Sequence, residues 1–317
     1  MELQIEERQK TLSDTVEWFE DERLAGWMLD LVHHYGWRGE EVLWEYLVPR
    51  FIEAWQYDRT WAKSLLQVVK TFRQLLAAKQ RKILDRMQAA IDTKPDLREQ
   101  TVLLETLEKW LMQQSLDAAK TQELQALLKL QHGYLCFAKD QYDDALDIGL
   151  AMVSSYPAVL RVSLAKLLRQ LAWKFSWKKG SAIASEQGKL AAQRATELDE
   201  KDAANWVSLG VVHHGLKQNE SAIEALQKGL KISEEAYAVN WLGATYKALK
   251  RYDEAISSYE KAIELDPSYA TAHNNLGATY NDLKRYDEAI SSYEKAIELD
   301  PSYATAHNNL GITYKAL

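Results

Sequence analysis

An all-α protein built by repetition follows from three features of the sequence. The stretch from Arg251 to Gly277, RYDEAISSYEKAIELDPSYATAHNNLG, returns unchanged from Arg285 to Gly311, 34 residues later. Small and aromatic residues inside each copy stand where two packed helices need them. Leu242, Gly243 and Tyr246 fall on a first helix, Ala255, Tyr259 and Ala262 on a second, and Pro267 closes the unit; Leu276, Gly277, Tyr280, Ala289, Tyr293, Ala296 and Pro301 repeat the set. The small residues allow close helix approach, the tyrosines fill the space between, and the proline stops the second helix. The third feature is the period itself, which marks an α-solenoid whose units pack only on their neighbours.

Taken in order, residues 1–125 are helical in pattern without the repeat signature. Six tryptophans, Trp18, Trp27, Trp37, Trp44, Trp55 and Trp61, fall in the first 61 residues. Ser13 and Asp14 form an N-cap signal before Trp18, Leu24, Trp27, Met28 and Leu31 at helical spacing. Gly36 and Gly39 end that helix, and Pro49 kinks or restarts the next. Trp61 to Ile91 reads as one long amphipathic stretch. Lys94-Pro95-Asp96 then makes a turn before a helix through Leu103, Leu107, Trp110 and Leu111. This region is either a cap or a set of divergent repeats, and the tryptophans are expected in its core.

The repeat becomes legible at Gly133, where Gln141-Tyr142-Asp143-Asp144-Ala145 mirrors Arg251-Tyr252-Asp253-Glu254-Ala255. Units are expected near 126–159, 160–202 with an insertion, 203–235, 236–269 and 270–303, with a half unit at 304–317. The insertion is placed in an extended loop from Gly180 to Gly188. A one-residue deletion is placed at Ser233 to Glu235. No second helix follows Tyr314, so the chain is expected either to be a fragment or to have that surface covered by a neighbour, including self-association.

The 34-residue period and these residue types resemble the tetratricopeptide repeat family. The resemblance implies a right-handed superhelix whose first helices line a concave groove. It also implies a non-enzymatic interaction scaffold, or the sensor region of a larger bacterial signalling ATPase or caspase-like protease.

Bulk properties narrow the function further. With 47% hydrophobic and 27% charged residues there is ample core material. A net charge of −7 disfavours nucleic acid as the main partner, and the lone Cys136 fits a reducing, cytoplasmic setting. The first ten residues, MELQIEERQK, lack the apolar run of a secretory signal, and no run of apolar residues is long enough for a membrane span. Phosphate-binding, hydrolase, zinc-protease and CxxC motifs are absent, so neither catalysis nor a cofactor is expected. The pairs His33-His34 and His213-His214 put neighbouring side chains about 100° apart on a helix, which makes no shared metal face. Cys136 reads as a small core residue. Asp253-Glu254 and Asp287-Glu288 complement the dipoles of the second helices they open.

Two groups of residues are candidate binding sites. Asn240, Asn274 and Asn308 recur at one register of the first helices, and Asn275 and Asn309 follow two of them directly. Asparagine is a poor helix former, and its amide can pair with both backbone groups of an extended peptide. Peptide-holding members of the family carry such a ladder. Thr271, Thr305, Asn281 and Lys247 are expected on or beside the same face. The family's cationic clamp for terminal carboxylates is not matched, because Asn, Val207 and Thr occupy its places. The second group is basic: Arg161, Lys166, Arg169, Lys174, Lys178 and Lys179 form a run without acids. Lys63, Lys70, Arg73, Lys79, Arg81, Lys82 and Arg86 form a second basic run, relieved only by Asp85. Both are candidates for an anionic partner, with a solvated helix face as the plainer account.

Overall fold

The computed structural model describes residues 47–52, 55, 59–70, 73, 76, 78–91, 97–113, 118–153, 160–176 and 182–316. Among these residues every regular element is helical. The fold is an all-α helical solenoid. Two compact units divide the chain between Leu167 and Leu168.

The first unit contains α1 (Arg59–Lys70), α2 (Ala78–Ile91), α3 (Leu97–Leu111), α4 (Ala118–Ala138), α5 (Tyr142–Val153) and the start of α6 (Arg161–Ser176). From α1 to α5 each helix packs on the next. Leucines at helical spacing supply the contact, with Leu65, Leu66, Leu84, Leu103, Leu107, Leu124 and Leu127 all buried. The stretch expected to run unbroken from Trp61 to Ile91 is divided, with residue 73 in a 3₁₀ turn and residue 76 in a bend. Folding back at this point lets the apolar faces of α1 and α2 bury each other. Pro49 lies within helical residues 47–52, and Trp55 is buried. The N-cap at Ser13, the turn at Lys94 to Asp96 and the side chains of the other five tryptophans fall outside the described residues. Cys136 is buried in α4, where burial pushes its thiol up, as a small core residue requires.

The second unit comprises the rest of α6, α7 (Ala182–Leu198) and a run of helix pairs. These are α8 (Ala203–Gly215) with α9 (Asn219–Ile232), α10 (Ala236–Ala248) with α11 (Tyr252–Leu265), and α12 (Ala270–Asp282) with α13 (Tyr286–Leu299), followed by α14 (Ala304–Ala316). The residues from 182 to 188, expected as an extended loop, belong to α7 instead. The insertion lengthens helices: α6 and α7 have 16 and 17 residues against 13 and 14 in α10 and α11. Gly188 is buried within α7 and does not break it. The expected deletion is where it was placed, since residues 233–235 alone join α9 to α10 while residues 266–269 join α11 to α12.

Helix pairs close over a glycine. A Cβ on Gly243 would lie 2.8 Å from the Tyr259 ring, and one on Gly277 would lie 2.9 Å from the Tyr293 ring. Only hydrogen fits there. Ala255, Tyr259, Leu276, Tyr280, Ala289 and Tyr293 form one buried cluster through these repeats.

The turn inside each pair has a fixed geometry. Lys217, Lys250 and Lys284 adopt φ of 60°, as Asp140 does at 61° between α4 and α5. In all four the following residue's N–H returns to a carbonyl five residues back, as in Arg251 N to Tyr246 O at 2.9 Å. The turn at Asp140 thus gives α4 and α5 the repeat geometry that their sequence carries only in part. A left-handed lysine is strained where glycine is not. Lys284→Gly should therefore raise stability by about 0.5–1 kcal/mol in chemical denaturation, less the entropy that glycine gains when unfolded.

Candidate functional site: the first-helix face

In the second unit α8 touches α10, α10 touches α12 and α12 touches α14, so first helices alone make one face of the array. The asparagines stitch that face together. Asn275 Nδ2 donates to Asn240 Oδ1 at 3.0 Å, and Asn309 Nδ2 donates to Asn274 Oδ1 at 3.0 Å. Asn240 and Asn274 are each only 4% exposed. The expectation that these two amides stand open to a peptide is corrected, because neighbouring first helices come close enough to bind them to each other. Asn308 is exposed, while Asn275 and Asn309 are half-buried.

A second set of links lies further along the same helices. Thr245 Oγ1 donates to Trp241 O at 2.8 Å, so the proton in its 3.2 Å contact with His214 comes from His214 Nδ1. Thr313 Oγ1 lies 3.0 Å from Asn281 Oδ1, and Lys247 Nζ lies 3.4 Å from Asp282 Oδ2. Thr271 is half-buried and Thr305 exposed. Of the predicted polar set, Asn240, Asn274, Asn275, Asn309, Asn281 and Lys247 make links between neighbouring first helices, so much of their hydrogen-bonding capacity joins one repeat to the next.

Sequence reasoning missed an aromatic cluster on this face. Trp173 of α6 lies 6.0 Å from Tyr237 of α10, Tyr237 lies 6.3 Å from Trp241, and Trp241 lies 5.4 Å from His214 of α8, ring centre to ring centre. Trp173 and Trp241 back onto buried Val207, Val211 and Ala238. Tyr237 is the most open member, at 36%. Burial pushes its hydroxyl up to about 12 and holds His214 below the ordinary histidine range, so both are neutral at pH 7. An uncharged, partly open aromatic surface suits apolar and ring-bearing side chains rather than proton transfer. One signal pointed to it: Trp241 stands where Asn275 and Asn309 stand in the next two repeats.

The basic runs are partly neutralised. Arg169 pairs with Asp202 and donates to Asn205 Oδ1 at 3.2 Å, which ties α6 to the start of α8 and corrects its place in an open patch. Arg73 is paired with Asp85, and Arg86 lies 3.7 Å from Glu99. Arg161, Lys166 and Lys174 are exposed; Lys178, Lys179 and the side chain of Lys79 fall outside the described residues. Among the described residues no group of histidine, cysteine and acidic side chains could hold a metal, and no helix is long and apolar enough to cross a membrane.

Paired antiparallel helices with a glycine notch, a filling tyrosine and a left-handed turn define a helical-repeat array. Tetratricopeptide repeat models match residues 203–235, 234–302 and 268–317. Over these residues the chain carries the tetratricopeptide repeat pattern. No curated protein matches the sequence. Similar solved structures include MamA, at 23% identity over 54% of this chain and 96% of MamA with a TM-score of 0.46. YrrB, described as a TPR protein with an unusual peptide-binding site, is 20% identical over 61% of this chain and 92% of its own, with a TM-score of 0.47. The first TPR of Spaghetti (RPAP3), bound to an HSP90 peptide, is 26% identical over 37% of this chain and 94% of its own, with a TM-score of 0.36.

Proposed function

We propose that the chain is a non-enzymatic protein-interaction scaffold whose first-helix face holds an extended segment of a protein partner. The observation that carries this reading is the aromatic cluster of Trp173, Tyr237, Trp241 and His214. It gives the face an anchor for an apolar or aromatic side chain of the segment. Beyond the anchor, Thr271, Thr305, Asn281, Lys247 and Asn308 offer polar groups along the path of an extended backbone. Asn240 and Asn274 serve by holding the first helices in register. The unpaired, buried Cys136 suits a reducing compartment such as the cytoplasm.

The partner is identified by affinity capture on the full chain, and binding is then measured for variants. Trp241→Ala should weaken binding about tenfold or more, a loss of about 1.4 kcal/mol. Tyr237→Ala removes a more open ring and guards against an effect on folding. Lys261→Ala, on a second helix, should leave binding unchanged. Parent-level affinity in both aromatic variants would overturn the reading.

A further inference from the structure

A second recess lies away from the first-helix face, between the second helices α7 and α9 with α8 beneath. Its lining includes Lys189 of α7, Trp206 and His213 of α8, Gln218 of the turn, and Ser221 and Lys228 of α9. Leu209 and Ala225 form buried apolar floor, and one carboxylate, Glu224, also borders it.

The repeats that follow show why the recess is open here. In the next repeat the Arg251 guanidinium sits 4.6 Å from the centre of the Tyr246 ring and pairs with Glu254. In the one after, Arg285 sits 4.4 Å from the Tyr280 ring and pairs with Glu288 at 2.6 Å. His213, Gln218 and Ser221 occupy the places of that tyrosine, arginine and glutamate. A 2.7 Å contact between His213 Nδ1 and Gln218 Oε1 replaces the stacked ring and guanidinium. The smaller side chains leave open the space that the stacked Arg251 and Arg285 plug in the next two repeats.

The lysine at the recess is also released from its usual pairing. Lys261 and Lys295, its counterparts, pair one turn on with Glu264 at 3.2 Å and Glu298 at 2.9 Å. Three residues after Lys228 stands Lys231, not an acid. The Lys228 ammonium lies instead 4.6 Å from the centre of the Trp206 ring. That ring is fixed by Nε1 donating to Glu200 O at 2.8 Å.

We propose that this recess binds a carboxylate group. Lys228 and Lys189 supply the positive charge, Ser221 and the Gln218 amide supply hydrogen-bond donors, and Trp206 forms a wall. Two ammonium groups set against Glu224 leave one net positive charge, which suits a monoanion better than a doubly charged phosphate. The carboxylate comes either from a small free acid or from an aspartate or glutamate side chain of a protein, and the two sources separate by experiment.

The test uses the full chain with ¹⁵N-labelled tryptophan, the Trp206 indole resonance being identified by its loss in Trp206→Phe. Sodium acetate and a capped tetraglutamate peptide are titrated at constant ionic strength, with sodium chloride as the control. The Trp206 resonance should shift saturably with carboxylate and not with chloride. Lys228→Ala should weaken that binding at least about tenfold, while Lys295→Ala leaves it unchanged. The triple variant H213Y/Q218R/S221E restores the plug of the neighbouring repeats, so it should fold and should abolish the shift. Binding of the peptide more than about tenfold tighter than acetate assigns a protein side chain, and comparable binding assigns a free acid. No saturable shift with either probe, or a shift that survives in the plugged variant, would overturn the proposal.

Discussion

Tyr259→Ala should lower the stability of the array by about 3–5 kcal/mol, the range for truncating a large buried ring. Tyr259 is 1% exposed and engages three helices. It belongs to α11, its ring fills the notch at Gly243 of α10, and it shares a buried cluster with Leu276 and Tyr280 of α12. Burial accordingly pushes the tyrosine hydroxyl far above its ordinary value. Truncation opens a cavity between α10 and α11 and removes the ring's packing on the next repeat. Tyr259→Phe keeps the ring and its packing and should stay within about 1.5 kcal/mol of the parent, as a swap that conserves side-chain volume does. Urea unfolding followed by helical circular dichroism reads both. A loss below 1 kcal/mol for the alanine variant would mean that the neighbouring repeats close over the gap.

The parts of this fold that the sequence discloses are those fixed by contacts inside one repeat. Glycine opposite tyrosine, alanine at the helix crossing and an acidic first turn recur with the period, so they can be read by spacing. Even the deletion at residues 233–235 falls where the count of residues requires it. The insertion before it was misplaced for a physical reason. Gly180 and Gly188 look like loop residues, yet α7 already includes Gly188, whose missing side chain is tolerated at a buried position. The binding face was harder to read because it is made between repeats. Trp173 and Tyr237 meet across more than a full repeat, and no periodic pattern joins them. The asparagines illustrate the same limit from the other side. Their recurrence is plain, but burial by the adjacent first helix decides whether an amide faces a partner or a neighbour, and burial has no signature in one repeat alone.

That burial makes Asn274→Ala the sharper test of what the ladder does. Asn274 Oδ1 accepts from Asn309 Nδ2 across two first helices, and Asn274 is almost fully buried. Alanine there removes the acceptor and leaves the facing amide without it, which should cost about 1–3 kcal/mol, although alanine is the better helix former. Asn308→Ala changes the same register at an exposed site and should stay within about 0.5 kcal/mol of the parent. If the asparagines act chiefly between repeats, Asn309→Ala alone should also destabilise, and combining it with Asn274→Ala should add less than the sum of the two. The shortfall expected for contacting residues is about 0.5–3 kcal/mol. Additive losses would show that the two amides do not support each other in solution. A partner-binding loss in Asn274→Ala larger than its stability loss would restore a direct contact role. With the ladder holding the first helices in register, stability should fall in step with binding, because each broken link loosens the surface on which the partner lies.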